Sequence, residues 1–181
     1  MTWKIISLST LLVPVLLAAE TGRYIRVELS GSRRVLTLAE VQVMSGGKNV
    51  APSGKASQSS TAHGGDARRG VDGNTDPSYT GNGQTHTNEE NKPWWELDLG
   101  KPVPIEQVAI YNRSDGGLGT RLDGFTLRIL DASRKEVFTR TGVGAPKEIV
   151  RFEIKDKGKA FYVDRKGKVQ KPVPQPVAIP A

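Results

Sequence analysis

From Asp72 to Asp76 the chain spaces three oxygen-bearing side chains two residues apart, in the run Asp72-Gly73-Asn74-Thr75-Asp76. Carboxylates and amide oxygens are the hard donors that calcium takes, and Glu40 offers another from a separate segment. The same run also suits Asx turns, in which a short side chain caps its own backbone two residues on. The residues alone leave both readings open. A Gly/Asn-rich loop follows and ends at His86, one of two histidines, within Gln84-Thr85-His86-Thr87. It runs into Pro93-Trp94-Trp95-Glu96-Leu97-Asp98-Leu99, where apolar and acidic residues alternate. A polar ligand loop is thus joined to a strong strand, and rigid scaffolds commonly present binding residues on such loops.

The elements that must hold this loop read as strands. Ile25, Val27 and Leu29 share one face of Tyr24 to Leu29, and Ala39, Val41 and Val43 share one face of Leu38 to Val43. This period of two is the pattern of half-buried strands. Lys55 to Ser60, Trp95 to Leu99, Ile105 to Tyr111, Phe125 to Ile129, Val137-Phe138 and Val150 to Ile154 add further candidates. Asp66 to Val71 has room for one helical turn. Many short strands separated by Gly, Pro and Asn turns predict an all-β fold, an antiparallel β-sandwich. Alternation puts Trp95 in the core with Leu97 and Leu99, and Trp94 on the opposite face; both read as structural.

Residues 1–19 have the character of a secretory signal: Lys4, an apolar run from Ile5 to Leu17, then Ala18-Ala19. The run is too short to span a bilayer and holds Pro14, so no membrane insertion is expected. Secretion to the cell surface, the periplasm or the medium follows as the expectation. The chain contains no cysteine, so its stability rests on the core, helped by any bound ion. The net charge of +7 gathers in Lys155 to Lys159 and Arg165 to Lys168, and no base-stacking aromatic pattern accompanies it. Nucleic acid is therefore not an expected partner. Residues 165–181, basic and then rich in proline, read as an extended tail. Nothing resembles a nucleophile elbow, a cysteine nucleophile or a glycosidase carboxylate pair, which argues against an enzyme.

Several motifs in order, Ala56 to Ser60, Val71 to Asp76, Thr85-His86-Thr87, Pro93-Trp94-Trp95 to Gly100, and Asn112-Arg113-Ser114-Asp115 to Arg121-Leu122, resemble the F-type lectin (fucolectin) branch of the discoidin, or coagulation-factor type C, superfamily. The resemblance implies a galactose-binding-like jelly-roll sandwich that binds fucose- or galactose-type sugars beside a structural Ca2+. On that pattern His86, Arg113 and Arg121 contact an extracellular or cell-surface glycan, and Asp115 orients the arginines. Arginine forks suit sugar oxygens because their donors are fixed in a plane. His63 and Tyr79 lie on loops that can wall the pocket. Carboxylates at Glu40 and Asp72, the Asn74 side chain, and carbonyls near Ala39, Arg69 and Gly83 would hold the ion.

Three departures from that family stand out. Its adjacent cysteine pair, which packs on the sugar, is replaced by Gly116-Gly117, and the Asp115 to Arg121 spacing is one residue longer. Glycine also stands at position 83, where the family often has serine. The first two favour an alternative, a structural or protein-interaction module that has lost its sugar. Finally, a strand pair that usually ends such domains here precedes the domain, in residues 20–48 of a 20–164 unit whose main body is 49–164. A circular permutation accounts for this better than a leftover repeat, because without the pair the sandwich would lack strands and expose two sheet edges.

Overall fold

Period-two patterning becomes strand pairing almost wherever it occurs. A computed structural model describes residues 20–156 and 158–174, so the expected signal segment and the last residues of the tail lie outside the described residues. In β1 (Thr21–Glu28) Ile25 and Val27 are wholly buried, while Tyr24, Arg26 and Glu28 are half-buried on the other face. β2 (Glu40–Ser45) and β3 (Lys48–Asn49) form a hairpin, and β4 (Lys55–Gln58) follows. A 3-10 turn at Ala67–Val71 replaces the expected helical turn. β5 (Trp94–Pro104), β6 (Gln107–Tyr111), β7 (Phe125–Leu130), β8 (Glu136–Val143) and β9 (Ile149–Glu153) then complete most of the sandwich.

With β10 (Lys159–Val163) and β11 (Val169–Pro172), two antiparallel sheets result, ordered β4-β5-β1-β7-β8 and β11-β10-β9-β6-β2-β3. The N-terminal strands are integral to both. β1 is the middle strand of the first sheet, with Val27 opposite Trp95 on one side and Leu127 on the other. β2 pairs with β6 in the second sheet, Glu40 opposite Tyr111. Removing residues 20–45 would split the first sheet and strip an inner strand from the second, which is the role that the rearranged strand order demands. Between the sheets, Ile25, Trp95, Leu97, Ile110, Phe125, Leu127 and Phe152 form one continuous apolar core. The Trp95 indole N–H donates to the Ala67 carbonyl at 2.9 Å, so even this buried donor is satisfied.

Trp94 lies under the Arg26 guanidinium at 4.4 Å, a structural role as expected. Glu96 is less exposed than an outward acid should be, because Arg26 and Arg134 close over its carboxylate at 3.1 and 2.7 Å.

The tail begins later than the sequence suggests. β10 (Lys159–Val163) and β11 (Val169–Pro172) form a hairpin at the edge of the second sheet. Val173 is buried, and its N–H donates to the Ala160 carbonyl at 2.9 Å. Residues 165–174 are therefore part of the fold rather than a spacer. Their lysines hid the pattern: edge strands commonly carry Lys and Pro, which discourage pairing with other chains.

Candidate functional site

His86 owes its position to the alternation of Gln84-Thr85-His86-Thr87. Thr85 and Thr87 turn toward residues 36–38, where their hydroxyls accept from the Leu38 and Leu36 N–H at 3.0 and 2.9 Å. Their own N–H groups donate back to the Leu38 and Leu36 carbonyls. On the other side, His86 N–H donates to Gly65 O at 2.9 Å, and Ala62 N–H donates to His86 O. Gly65 has to be glycine, since a Cβ there would sit 2.5 Å from the His86 backbone nitrogen. The imidazole is thus fixed from both flanks.

Its chemistry is fixed too. Nδ1 lies 2.7 Å from the Thr87 carbonyl, which can only accept, so Nδ1 carries the proton. Nε2 lies 3.1 Å from Arg121 Nη1, which can only donate, so Nε2 accepts. His86 is thus neutral, its Nδ1–H given to the Thr87 carbonyl and its Nε2 lone pair to Arg121. Burial pushes its pKa below the usual histidine value, and the Arg121, His63 and Arg113 charges push it the same way. A depressed pKa means that the neutral form supports this geometry above about pH 6.5, and that support disappears as pH falls through the lower folded value. An NMR titration of His86 should therefore give a pKa below the ordinary histidine range, and Arg121→Gln should raise it. A wild-type value at or above the ordinary one would contradict this tautomer.

Arg113 and Asp115 form a two-pronged pair, Nε to Oδ1 at 2.6 Å and Nη2 to Oδ2 at 3.0 Å. The Arg113 hydrogen bonds hold the Asp115 carboxyl down at about 2, with smaller help from Gln84 and the Tyr79 amide. Arg113 is buried, and its guanidinium lies 5.2 Å from the Tyr79 ring centre. Tyr79 in turn donates its hydroxyl to the His63 carbonyl. The His63 and His86 rings meet edge to face at 4.8 Å. Both wall residues named from sequence therefore reach the pocket.

Arg121 is different. Among the described residues it has no ion-pair partner, and its side chain bonds to His86. Burial and the neighbouring Arg113 charge both lower its pKa. Its loop is held from outside: Arg34 Nη2 donates to the Arg121 and Asp123 carbonyls at 3.2 and 2.7 Å. Gly116 and Gly117 adopt left-handed conformations, with φ of 59° and 69°, in the 3-10 segment Asp115–Leu122. They bring Leu118 to the pocket, an apolar wall that sequence reasoning missed. His63, Tyr79, His86, Arg113, Leu118 and Arg121 line an open depression of about 200 Å3.

The oxygen donors gather at a second corner. Glu40, at the start of β2, is fully buried, and neither carboxylate oxygen has a hydrogen-bond partner among the described residues. Burial lifts its pKa to about 7, and the nearby Asp72 charge adds to this. The Gly73 and Asp72 amides face it and pull the other way, without closing a bond of normal geometry. Asp72 Oδ1 accepts from Asn74 N–H at 2.8 Å, and Asn74 Oδ1 accepts from Asp76 N–H at 3.1 Å. The Asx turns therefore exist, beside a carboxylate pair that they do not explain. Asn74 also donates to Gly81 O at 2.9 Å, so its amide braces the loop at both ends and is a poor ligand. Gly83 admits no side chain, because a Cβ would collide with the Asp76 carbonyl. No group of three or more His, Asp or Glu side chains suited to a metal occurs among the described residues. A cation here would draw on Glu40, Asp72 and main-chain oxygens.

The family model of the NedA-like, galactose-binding domain matches residues 69–164, the segment that carries His86, Arg113 and Arg121 of the pocket and Asp72 of the second corner. The chain belongs to that family. Within it, the relatives point to the F-type lectin branch. A fucolectin of Anguilla anguilla is 36% identical over 87 residues, 45% of this chain and 54% of the eel protein. A pentraxin fusion protein of Xenopus laevis is 34% identical over 100 residues, 55% of this chain and 24% of that protein. The chain thus spans about half, or a quarter, of the curated relatives that it matches. The lectin domain of lectinolysin, solved with the Lewis b antigen, is 35% identical with a TM-score of 0.56, covering 70% of this chain and 82% of that one. A fucose-binding module of Streptococcus pneumoniae is 32% identical with a TM-score of 0.57, covering 70% and 83%. This galactose-binding-like domain is a binding module and not an enzyme, as the relatives are lectins and binding modules.

Proposed function

We propose that this domain is exported and binds a fucose- or galactose-type sugar of an extracellular or cell-surface glycan in the His86 pocket, beside a structural calcium ion. The observation that carries the sugar reading is Arg121: a half-buried cation with no acid partner among the described residues, aimed at a neutral imidazole. Arg113 is already neutralised by Asp115. With the imidazole occupied by Thr87 and Arg121, the pocket keeps the remaining guanidinium donors together with apolar ring and Leu118 surfaces in one small space. A sugar offers hydroxyls that both donate and accept, together with a C–H face, so one ring can use all of them. The relatives that bind fucose or Lewis b support the same class.

Calcium fits what the residues leave unsatisfied. Burying an ionised carboxylate with no partner costs several kcal/mol, and a cation removes that cost. Glu40 and Asp72 would hold the ion, with main-chain oxygens of Ala39, Arg69 and Gly83, while Asn74 stiffens the loop. Bound there, calcium supplies positive charge and ties down the loop that carries Tyr79 toward the pocket.

A module that has lost its sugar is the second reading, and the bare Gly116-Gly117 backbone favours it; Leu118 weighs against it by restoring an apolar wall. A glycan array probed with and without chelator separates the two. Binding to fucosylated or galactosylated glycans, weakened by chelator, is the expected result, and an empty array in calcium would leave the structural module.

A further inference from the structure

A second cavity, of about 610 Å3, opens where the 144–149 loop meets the β10–β11 hairpin. Its floor is Tyr162, half-buried against the core, whose hydroxyl donates to the Gly144 carbonyl at 3.1 Å. Lys171, paired with Tyr162 in the hairpin register, lies over that ring at 5.4 Å. The remaining rim includes Asp123, Lys147, Glu148 and Gln170.

The groove is built rather than incidental. Ala145 N–H donates to Asp123 Oδ1 at 3.1 Å, and Asn112 donates to Pro146 O and Glu148 O at 2.8 Å each. Arg165 N–H donates to Glu148 Oε2 at 2.7 Å on the far side. Asn112 also donates to Gly119 O at 3.0 Å, and it adjoins Arg113. Asp123 follows Arg121 by two residues, at most about 7 Å along the chain. Residues 112–123 therefore contribute to both cavities, Arg113, Leu118 and Arg121 to the His86 pocket and Asp123 to the groove.

The lining selects a chemistry. Three carboxylates, Asp123, Glu148 and Asp164, and two ammonium groups, Lys147 and Lys171, share the lining, so neither an anion nor a cation meets a field of one sign. An aromatic ring ringed by donors and acceptors suits a polyhydroxylated ring instead. We propose that this groove is a subsite for the inner residues of an oligosaccharide whose terminal sugar occupies the His86 pocket. The proposal rests on the carbohydrate reading above.

Calorimetry with methyl α-L-fucoside and with a Lewis b tetrasaccharide, on the full chain and on Lys147→Ala/Gln170→Ala, tests it. Both altered residues are exposed, so folding should be unaffected. The tetrasaccharide should bind the wild type about tenfold more tightly than the monosaccharide. The double variant should keep monosaccharide affinity and lose most of the difference. Amide NMR signals of residues 144–148 and 170–171 should shift with the tetrasaccharide alone. Equal affinities for the two ligands, or a ratio that the variant leaves unchanged, overturns the groove. Tetrasaccharide binding that the variant removes, with no monosaccharide binding, also overturns the proposal, because the groove would then be a site of its own and not an extension of the His86 pocket. Binding of neither ligand overturns both.

Discussion

Calcium should raise the melting temperature, and Glu40→Gln should erase the rise. At a hundredfold excess over the dissociation constant the ion stabilises by about 2.7 kcal/mol, which for a domain of this size is roughly 5–10 °C. The reason lies in Glu40, buried with both oxygens unpartnered and its pKa lifted to about 7. A raised pKa contributes stability below the ordinary carboxylate value and loses it as pH rises through the folded one. Chelated protein should therefore be less stable at pH 8 than at pH 5.5, by about 2 kcal/mol, and melt correspondingly lower. Calcium should remove that slope by holding the carboxylate ionised.

The substitution carries its own signature. Metal-free Glu40→Gln should be more stable than metal-free wild type at pH 8, since the buried charge is gone. Asp72→Asn should weaken the calcium effect while keeping the cap on Asn74, because an amide oxygen can accept that bond equally well. Melting curves that chelator leaves unmoved would return the loop to simple Asx turns.

How much of this was legible in the sequence depends on how local the cause is. The strands were readable because inward residues such as Ile25, Val27, Trp95, Leu97, Phe125 and Leu127 alternate within their own segments. β10 and β11 were not, because β10 is apolar on both faces, Ala160 and Tyr162 on one and Phe161 and Val163 on the other, within a lysine-rich stretch that masks it. Residues brought together across the chain were visible through motif resemblance alone: nothing in the spacing of His86 and Arg121 puts them 3.1 Å apart. Arg34, reaching the carbonyl of Arg121, and Leu118, presented by two left-handed glycines, left no periodic trace. The direction of the His86 hydrogen bond was equally hidden, since it depends on which carbonyl happens to face Nδ1.

That geometry also changes which arginine best tests the pocket. Arg113 is buried, clamps Asp115 with two bonds and packs on Tyr79, so removing it would disturb the fold as well as any ligand. Arg121 makes no such investment among the described residues. It sits near a like charge, partly desolvated, and among the described residues its side chain gives one hydrogen bond, to His86. A group that costs the free protein stability is retained where a ligand uses it. Arg121→Gln should therefore leave the melting temperature unchanged or slightly higher. Sugar binding should fall at least tenfold, because hydrogen bonds to a charged donor contribute about 1.5–3 kcal/mol each. Arg121→Lys should rescue it only in part, as a single ammonium cannot reproduce the planar fork. If Arg121→Gln instead lowers the melting temperature and spares sugar binding, Arg121 belongs to the scaffold and the ligand lies elsewhere.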